Sequence, residues 1–269
     1  MASVSDSDFP PEEAPAWWPD PIGPARVIVP IVATSSKAAQ DQAIKIADTD
    51  AEMVEWRADY LAEQPRIARG VLITRLPEAD RIVALASILR VLVAPKPLIF
   101  TWRTIAEGGD GSPLGDGNYE AVTQAVIRAH AASVVDVEVR HPASLQLIAA
   151  ARDYKVPVIG SWHDVAGTPS ENAIVRTLAL IEEAGVDIVK VAVTARRESD
   201  ATTLMNATAE RVDDARAPLI TMAMGEWGLV SRVLGHMFGS AATFATVGAP
   251  SAPGQPELAE LRRLWEMAE

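Results

Sequence analysis

The sequence predicts a single-domain (β/α)8 barrel, and two patterns along the chain lead to that fold class. From Val27 onward, short runs rich in β-branched residues alternate with longer segments whose apolar residues recur every three or four positions. Eight such runs are each followed by one amphipathic segment, which is typical of βαβ units around a closed parallel sheet. A chain of 269 residues, 49% of them hydrophobic, is long enough to bury the core of such a barrel.

The predicted strands are, in chain order, Val27–Ala33, Met53–Trp56, Leu98–Trp102, Val134–Val139, Val156–Gly160, Ile188–Val193, Pro218–Met222 and Ala242–Val247. The predicted helices that follow them are Ala38–Ala47, Asp80–Val91, Tyr119–Ala131, Pro142–Tyr154, Ser170–Ala184, Asp200–Arg211, Gly228–Met237 and Glu257–Met267. An open doubly wound sheet is the main alternative. It would need a glycine-rich turn after the first strand, where Ala33-Thr34-Ser35-Ser36 stands instead.

Residues 1–25 are predicted to be an irregular extension to a barrel domain that spans residues 26–269. The extension is rich in Pro, Glu, Asp and Ser, and its prolines are incompatible with a helix interior or a central strand. Its two adjacent aromatic residues, Trp17 and Trp18, either pack against the barrel or contact a partner. Packing is the favoured interpretation, because large apolar rings in a short tail gain most from burial.

Composition excludes several classes of function. A net charge of −12 disfavours nucleic acids and anionic membranes as partners, because both are negatively charged. The chain has no cysteine, which excludes disulfide bonds and thiolate nucleophiles. No apolar run reaches the roughly 20 residues of a membrane helix, and the first residues are acidic, unlike a signal peptide. We therefore expect a cytoplasmic protein.

Lys190 is the most informative single residue, because it lies inside the apolar run of the sixth predicted strand. In a (β/α)8 barrel the reactive groups come from the C-terminal ends of the strands. An ammonium group is costly to bury, so an amine at this position is available in its neutral form to attack a carbonyl group. The structural alternative is a lysine that reaches the strand end or pairs with a carboxylate such as Asp187.

His163 stands at the end of the fifth predicted strand, where its imidazole could act as an acid or a base near neutral pH. Glu107 or Asp136 could orient the ring. A histidine that only makes structural hydrogen bonds is the alternative.

Three arginines from different parts of the predicted barrel would meet at one mouth: Arg57, Arg103 and Arg232. Guanidinium groups repel one another unless they bind an anion, and a planar carboxylate is the ligand that matches them best. At least one of them is expected to close a salt bridge instead, with a neighbour such as Glu55 or Glu138.

The segment Ser251-Ala252-Pro253-Gly254-Gln255 follows the last predicted strand and carries a hydroxyl group and an amide. A loop of this kind above a barrel is suited to bind the hydroxyl groups of a polyol and to close over it. An ordinary connecting loop is the alternative.

Taken in order, these segments resemble the type I 3-dehydroquinate dehydratase family, from about Ile28 to about Leu264. The matching segments are Glu55-Trp56-Arg57-Ala58-Asp59, Phe100-Thr101-Trp102-Arg103-Thr104 with Glu107-Gly108-Gly109, Asp136-Val137-Glu138, Ser161-Trp162-His163-Asp164, Asp187-Ile188-Val189-Lys190, Met224-Gly225 with Ser231-Arg232, Phe238-Gly239-Ser240, and Ser251-Ala252-Pro253-Gly254-Gln255. Each segment alone is a weak signal, whereas the ordered set is specific.

The resemblance implies a homodimeric enzyme that converts 3-dehydroquinate to 3-dehydroshikimate in the shikimate pathway, without a metal ion or another cofactor. It implies that Lys190 forms a Schiff base with the substrate, that His163 is the general acid and base, and that Glu107 assists it. It also implies a set of substrate-binding residues, with Arg232 on the carboxylate and the others on the hydroxyl groups and the closing loop: Glu55, Arg57, Arg103, Ser251 and Gln255.

The sequence departs from the family pattern at three packing or loop positions. Val165 stands where the family usually has an aromatic residue, Thr194 stands where methionine is common, and Pro250 precedes the closing loop.

Two other functions remain open from the sequence. A class I aldolase would also use a barrel lysine, but it would need a phosphate cradle late in the chain, of which Gly239-Ser240 is a faint version. A non-catalytic barrel that binds a ring polyol would be expected to lack Lys190, His163 or Glu107, and all three are present.

Overall fold

The computed structural model describes residue 18 and residues 25–61, 67–68, 71–72, 78–110, 116–248 and 250–268. Eight parallel strands of this part of the chain form one sheet: β1 (Arg26–Ile31), β2 (Met53–Arg57), β5 (Leu98–Thr101), β6 (Val134–Glu138), β7 (Val158–Asp164), β8 (Ile188–Thr194), β9 (Leu219–Met224) and β10 (Ala242–Phe244). Their order across the sheet is β10-β1-β2-β5-β6-β7-β8-β9. The two outer strands meet where the Ala241 amide donates to the Leu219 carbonyl at 2.7 Å, so the sheet curls into a nearly closed barrel.

Eight α-helices alternate with these strands and surround the sheet. They are α1 (Ser36–Ala47), α2 (Glu78–Leu92), α3 (Tyr119–Arg128), α4 (Ser144–Asp153), α5 (Glu171–Glu183), α6 (Glu198–Val212), α7 (Leu229–Leu234) and α8 (Leu258–Ala268). The predicted (β/α)8 barrel is confirmed, and each predicted strand and helix corresponds to an observed one. No helix in the described ranges is long and apolar enough to cross a membrane.

Several element boundaries differ from the sequence prediction, and two strand ends have a clear structural reason. Strand β7 continues to Asp164 rather than ending at Gly160, because its backbone stays in register with β8 as far as Asp164, which lies opposite Val193. Strand β10 ends at Phe244 rather than Val247, since Thr246 instead makes a short bridge to the segment before α8. The two-residue strands β3 (Ile67–Ala68) and β4 (Val71–Leu72), which form a separate antiparallel pair, were not predicted.

The lower end of the barrel interior is an apolar layer to which each wall strand contributes one buried side chain. Its members are Ile28, Met53, Ile99, Val134, Ile159, Ile188, Ile220 and Ala242, all at most 1% exposed. Trp18 joins the same cluster and is buried, in agreement with the packing interpretation of the tryptophan pair. Trp17 and most of the predicted extension lie outside the described residues.

The next layer toward the C-terminal ends of the strands is polar. Side chains two residues apart on a strand point to the same face, so each apolar residue of the lower layer is followed inside the barrel by the residue two positions later. That step leads from Met53 to Glu55, from Val134 to Asp136 and from Ile188 to Lys190. The barrel therefore carries charged groups directly above its lower, apolar layer.

Gly160 provides a test of the packing between the wall of the barrel and helix α5. A Cβ atom at this position would lie 2.7 Å from Cγ1 of Val186 and 2.9 Å from Cγ2 of Ile181. We expect Gly160→Ala to lower the free energy of unfolding by about 1–3 kcal/mol through overpacking, measured as a lower urea midpoint. Gly167→Ala is the matched control, because a Cβ atom there meets nothing within 4 Å. Equal midpoints for the two variants would contradict this description of the wall.

Candidate active site

One cavity of about 300 Å³ opens at the C-terminal ends of the strands. It brings together all nine residues predicted from the sequence to form the site: Glu55, Arg57, Arg103, Glu107, His163, Lys190, Arg232, Ser251 and Gln255. They come from positions up to 200 residues apart in the chain (55 to 255), so closure of the barrel is what places them around one space.

Lys190 projects into the polar layer from strand β8 and is 4% exposed. Its Nζ atom donates to Oδ2 of Asp136 at 3.1 Å and to Oε1 of Glu55 at 3.3 Å. The ring of Phe244 lies 4.7 Å from Nζ, which adds a cation–π contact. The amine is thus held between two carboxylates and one aromatic face.

The alternative partner considered for Lys190, Asp187, does not contact it. Asp187 accepts a hydrogen bond at 2.7 Å from the backbone amide of Val158, on the neighbouring strand. The reason is the alternation of the strand, because residues three positions apart point to opposite faces of the sheet.

His163 and Glu107 form a buried pair at the rim of the same cavity. Nδ1 of His163 lies 2.9 Å from Oε2 of Glu107, and the same oxygen accepts the backbone amide of His163 at 3.0 Å. Nε2 is therefore the ring nitrogen that can meet a ligand. Asp136, the other candidate for orienting this ring, is bound to Lys190 and Arg103 instead.

The environment keeps this pair uncharged near neutral pH. Burial and the charges of Arg103, Lys190 and Arg57 lower the pKa of His163 well below its usual 6.5. Burial raises the pKa of Glu107 to about 8. The charge of Arg103 acts in the opposite direction, and the nearby carboxylates offset part of its effect. The number of protons on the pair decides its chemistry: it holds one proton when Glu107 is ionised and two when Glu107 is protonated. With Glu107 ionised, Nδ1–H donates to it and Nε2 is a base; with Glu107 protonated, Nδ1 accepts and Nε2 carries the proton.

Arg103 ties the acidic groups of the site together. Its Nη1 atom donates to Glu138 and to Ser161, both at 3.0 Å, and its Nη2 atom donates to Asp136 at 2.8 Å. Oε2 of Glu107 lies 3.6 Å from Nη1. The expected salt bridge between an arginine and Glu138 is thus present, and it involves Arg103.

Arg57 is also neutralised, but by a residue close in sequence. Its Nε atom donates to Oδ1 of Asp59 and its Nη2 atom donates to Oδ2, both at 2.7 Å. Its Nη1 atom reaches the carbonyl oxygen of Ser251 at 3.4 Å, which links strand β2 to the loop above the cavity. Within that loop, the Gln255 amide donates to the Ser251 hydroxyl at 2.9 Å and accepts the Ser251 backbone amide at 2.8 Å.

Arg232 differs from the other two arginines. It lies in helix α7, is 1% exposed, and lines the cavity. Within the described part of the chain, none of its three guanidinium nitrogens has a hydrogen-bond partner. Burial lowers its pKa to about 10, which leaves it charged at neutral pH. A desolvated cation without a counter-ion is costly, so this position is built to receive an anion.

Sequence reasoning missed the apolar wall of the cavity. Met222, Met224 and Phe244 line it together with the polar groups. Met222 and Phe244 follow Ile220 and Ala242 of the lower apolar layer by two positions, so alternation along predicted strands could have found them. Val165 and Thr194, two of the departures from the family pattern, also line the cavity.

The faint phosphate cradle at Gly239-Ser240 has a structural role. The Ser240 hydroxyl accepts the Thr221 amide at 3.0 Å, and it lies within hydrogen-bond distance of the carbonyl groups of Thr221 and Ala242. Ser240 is 4% exposed, so it is committed to joining β9 to β10. Across the described ranges, no group of three or more His, Asp or Glu side chains is placed to hold a metal ion.

One family model and several relatives at about 30% identity carry the same description. Residues 27–269 match the family model for type I 3-dehydroquinase. The chain is 33% identical over 243 residues to 3-dehydroquinate dehydratase from Salmonella paratyphi B, an alignment that covers 89% of this chain and 91% of that relative. The solved structure of 3-dehydroquinate dehydratase from Geobacillus kaustophilus superposes with a TM-score of 0.82 at 29% identity and 91% coverage of both chains. The type I enzyme from Clostridium difficile, described with covalently modified comenic acid, has a TM-score of 0.79 at 30% identity and covers 92% of this chain and 94% of its own.

The protonation of Glu107 can be measured directly. Its folded pKa of about 8 exceeds the usual 4.5, so folding favours its protonated form. We expect infrared difference spectra to contain a protonated carboxyl band that disappears as the pH rises through about 8, and that is absent in Glu107→Gln.

The same shift has a consequence for stability. Glu107 contributes most to the free energy of unfolding below pH 4.5, and that contribution decreases as the pH rises from 4.5 to 8. Glu107→Gln is expected to flatten this part of the stability profile. A wild-type carboxyl band that disappears near pH 4.5 instead would contradict the buried, uncharged pair.

Proposed function

The chain belongs to the type I 3-dehydroquinase family, and we propose that it dehydrates 3-dehydroquinate to 3-dehydroshikimate through a Schiff base on Lys190. The observation that carries the proposal is a cavity lined by a buried amine, an acid–base pair and a buried guanidinium that has no hydrogen-bond partner in the described part of the chain. These three features match the needs of one substrate: a ketone, an acidic carbon–hydrogen bond next to it, and a carboxylate. The similar enzyme from Clostridium difficile, described with covalently modified comenic acid, agrees with covalent chemistry at such a site.

The reaction begins when the neutral amine of Lys190 attacks the carbonyl carbon of the substrate. Nε2–H of His163 donates a proton to the former carbonyl oxygen, which leaves as water, while Nδ1 takes up the proton of Glu107. The protonated imine that results carries the positive charge that the ammonium carried before. Glu55 and Asp136, which contact Nζ in the free enzyme, are placed to compensate either charge. The protonated imine withdraws electrons and makes the neighbouring carbon–hydrogen bond acidic.

His163 then acts through Nε2. With Glu107 ionised and Nδ1 protonated, Nε2 removes the proton from the carbon next to the imine, and the electron pair of that bond forms an enamine. The enamine pushes out the hydroxyl group on the next carbon, and His163 returns a proton to it so that it leaves as water. Addition of water to the conjugated imine releases the enone product and restores the Lys190 amine. Glu107 supports both directions of proton transfer, because its own protonation sets which nitrogen of His163 carries hydrogen.

Substrate binding is assigned to the remaining residues of the cavity. Arg232 pairs with the substrate carboxylate, which satisfies the guanidinium nitrogens that have no partner among the described residues. Glu55, Arg57, Arg103, Ser251 and Gln255 surround the hydroxyl groups and close the site. Holding the carboxylate at one end and the imine at the other orients the ring for proton removal, an effect that lowers the barrier by several kcal/mol.

The place of the reaction in the shikimate pathway is part of the same proposal. The cytoplasmic location and the homodimer expected earlier stay predictions. No observation favours the aldolase, since the serine of its candidate phosphate cradle is committed to hydrogen bonds within the fold.

The first test joins turnover to covalent trapping. Incubation with 3-dehydroquinate should produce the ultraviolet absorbance of a conjugated enone, and borohydride should fix a substrate adduct on Lys190, located by mass spectrometry. We expect Lys190→Ala to lose the adduct and at least about 1,000-fold of kcat. Lys45→Ala, which removes an exposed lysine of helix α1, is the control and should retain both signals. Turnover without an adduct on Lys190 would overturn the Schiff base.

The second test separates the two effects of Arg232. We expect Arg232→Met to reduce kcat/KM at least about 100-fold, because the substrate carboxylate loses its charged partner. The same change should raise the free energy of unfolding by about 1–4 kcal/mol, since it removes an uncompensated buried charge. Arg140→Met is the control, because Arg140 is exposed and stacks on Trp162 at 4.1 Å outside the cavity lining. An Arg232→Met protein that is less stable than wild type would show that the guanidinium is not uncompensated.

A further inference from the structure

Asp136 is a buried acid that the proposed reaction uses only in passing. Its carboxylate is 2% exposed and is bound on all sides by polar groups of the protein. Oδ2 accepts hydrogen bonds from Nζ of Lys190 at 3.1 Å and from Nη2 of Arg103 at 2.8 Å. Oδ1 accepts the hydroxyl group of Ser161 at 2.5 Å.

We propose that Asp136 is the permanent counter-ion of Lys190, a positioning residue that aims Nζ at the cavity and compensates the positive charge of both the ammonium and the protonated imine. This inference rests on the proposed role of Lys190. It assigns different tasks to the two carboxylates that touch the amine, Asp136 and Glu55.

The contacts of the two carboxylates support this division. Glu55 meets Lys190 at 3.3 Å through Oε1, the same oxygen that accepts the Thr101 hydroxyl at 2.9 Å. Glu55 lines the cavity, so a bound ligand can replace its contact with the amine. Asp136 is not one of the described residues that line the cavity, because it lies behind Lys190. A substrate can therefore exchange contacts with Glu55 but leaves those of Asp136 in place.

The position of Asp136 is over-determined by its neighbours. Ser161 and Lys190 are register partners on adjacent strands β7 and β8, and Arg103 approaches from the end of β5. Three donors from three parts of the barrel thus hold one carboxylate. Because an ammonium and a protonated imine carry the same charge on the same nitrogen, one fixed anion serves both.

The charges around Lys190 decide what removal of Asp136 would do. The facing groups are Glu55 from β2, Asp136 from β6, His163 from β7, the Phe244 ring from β10, and the guanidinium groups of Arg57, Arg103 and Arg232. Burial alone would raise the pKa of Asp136, but Arg103 and Lys190 outweigh it and lower the pKa to about 2. Without Asp136, Glu55 is the one carboxylate of the described ranges left in contact with the amine, against several nearby cations.

The test measures the amine without using the substrate. Reductive methylation with formaldehyde and cyanoborohydride would be followed on Lys190 as a function of pH by peptide mass spectrometry. Lys37, whose side chain is 81% exposed, is the internal reference. We expect Asp136→Asn to lower the pH of half-maximal labelling of Lys190 by at least about one unit, with no change at Lys37. Although a larger fraction of the amine is then neutral at a given pH, kcat for dehydration should fall about 100-fold, because the imine loses its counter-ion.

Two further variants separate charge from position. Glu138→Gln removes the next inward carboxylate of the same strand, which contacts Arg103 and Thr104, and it should leave the labelling midpoint of Lys190 unchanged. Ser161→Ala keeps the charge of Asp136 but removes the hydroxyl group that aims it, so kcat should fall at an unchanged midpoint. This variant also serves if Asp136→Asn does not fold.

An unchanged midpoint in folded Asp136→Asn would overturn the inference, as would an unchanged kcat in Ser161→Ala. A midpoint that shifts equally in Glu138→Gln would also overturn it, because the effect would then belong to the whole acidic cluster. The proposed function fails separately: if wild type shows no dehydration while the labelling midpoint still shifts in Asp136→Asn, Asp136 remains the counter-ion of a lysine with another substrate.

Discussion

The buried ion pair between Arg103 and Asp136 is the interaction on which the catalytic end of the barrel depends. Arg103 reaches acidic groups on strand β6 and the Ser161 hydroxyl on strand β7, and Asp136 in turn holds Lys190 on strand β8. The members are nearly fully desolvated, so each charge needs the others and loss of one leaves its partners uncompensated. A polar layer of this kind tolerates few rearrangements, and it fixes the amine and the acid–base pair relative to one another.

Two carboxyl groups of the same cavity region show how strongly neighbours decide protonation. Asp136, between two cations, has a pKa of about 2, whereas Glu107, desolvated and close to other carboxylates, has a pKa of about 8. The first is suited to compensate a constant positive charge, and the second is suited to exchange a proton with His163. Groups whose surroundings separate their pKa values in this way divide the roles of an acid–base site between them.

Arg232 represents the opposite solution, a charge left uncompensated in a protein whose net charge is −12. Carboxylates are abundant in the chain, and the other two arginines of the cavity are each paired with them. A guanidinium in the same space that has no hydrogen-bond partner among the described residues therefore lowers the stability of the barrel and favours binding of an anion. Such local conflicts between stability and ligand binding are typical of functional sites.

The sequence by itself determined the class of fold and the membership of the site. Alternation of β-branched and amphipathic segments identified the eight wall strands and eight helices, and polar residues at or after predicted strand ends identified polar side chains that line the cavity. Both signals are local, because a period of two or of 3.6 residues is written in neighbouring positions. Strand β7 was predicted too short for a related reason. A glycine such as Gly160 is a local signal for a strand end, but here the absence of a side chain is required by close packing against Val186.

The tertiary structure decided which groups are partners. Lys190 pairs with Asp136, 54 residues away, and with Glu55, 135 residues away, rather than with Asp187 beside it. Arg57 and Arg103 are neutralised whereas Arg232 is not, although the three look equivalent in the sequence. The physical reason is that these contacts depend on closure of the barrel and on the register between strands, which bring distant residues to one layer. Local periodicity specifies the face on which a side chain lies, but not what stands across the barrel from it.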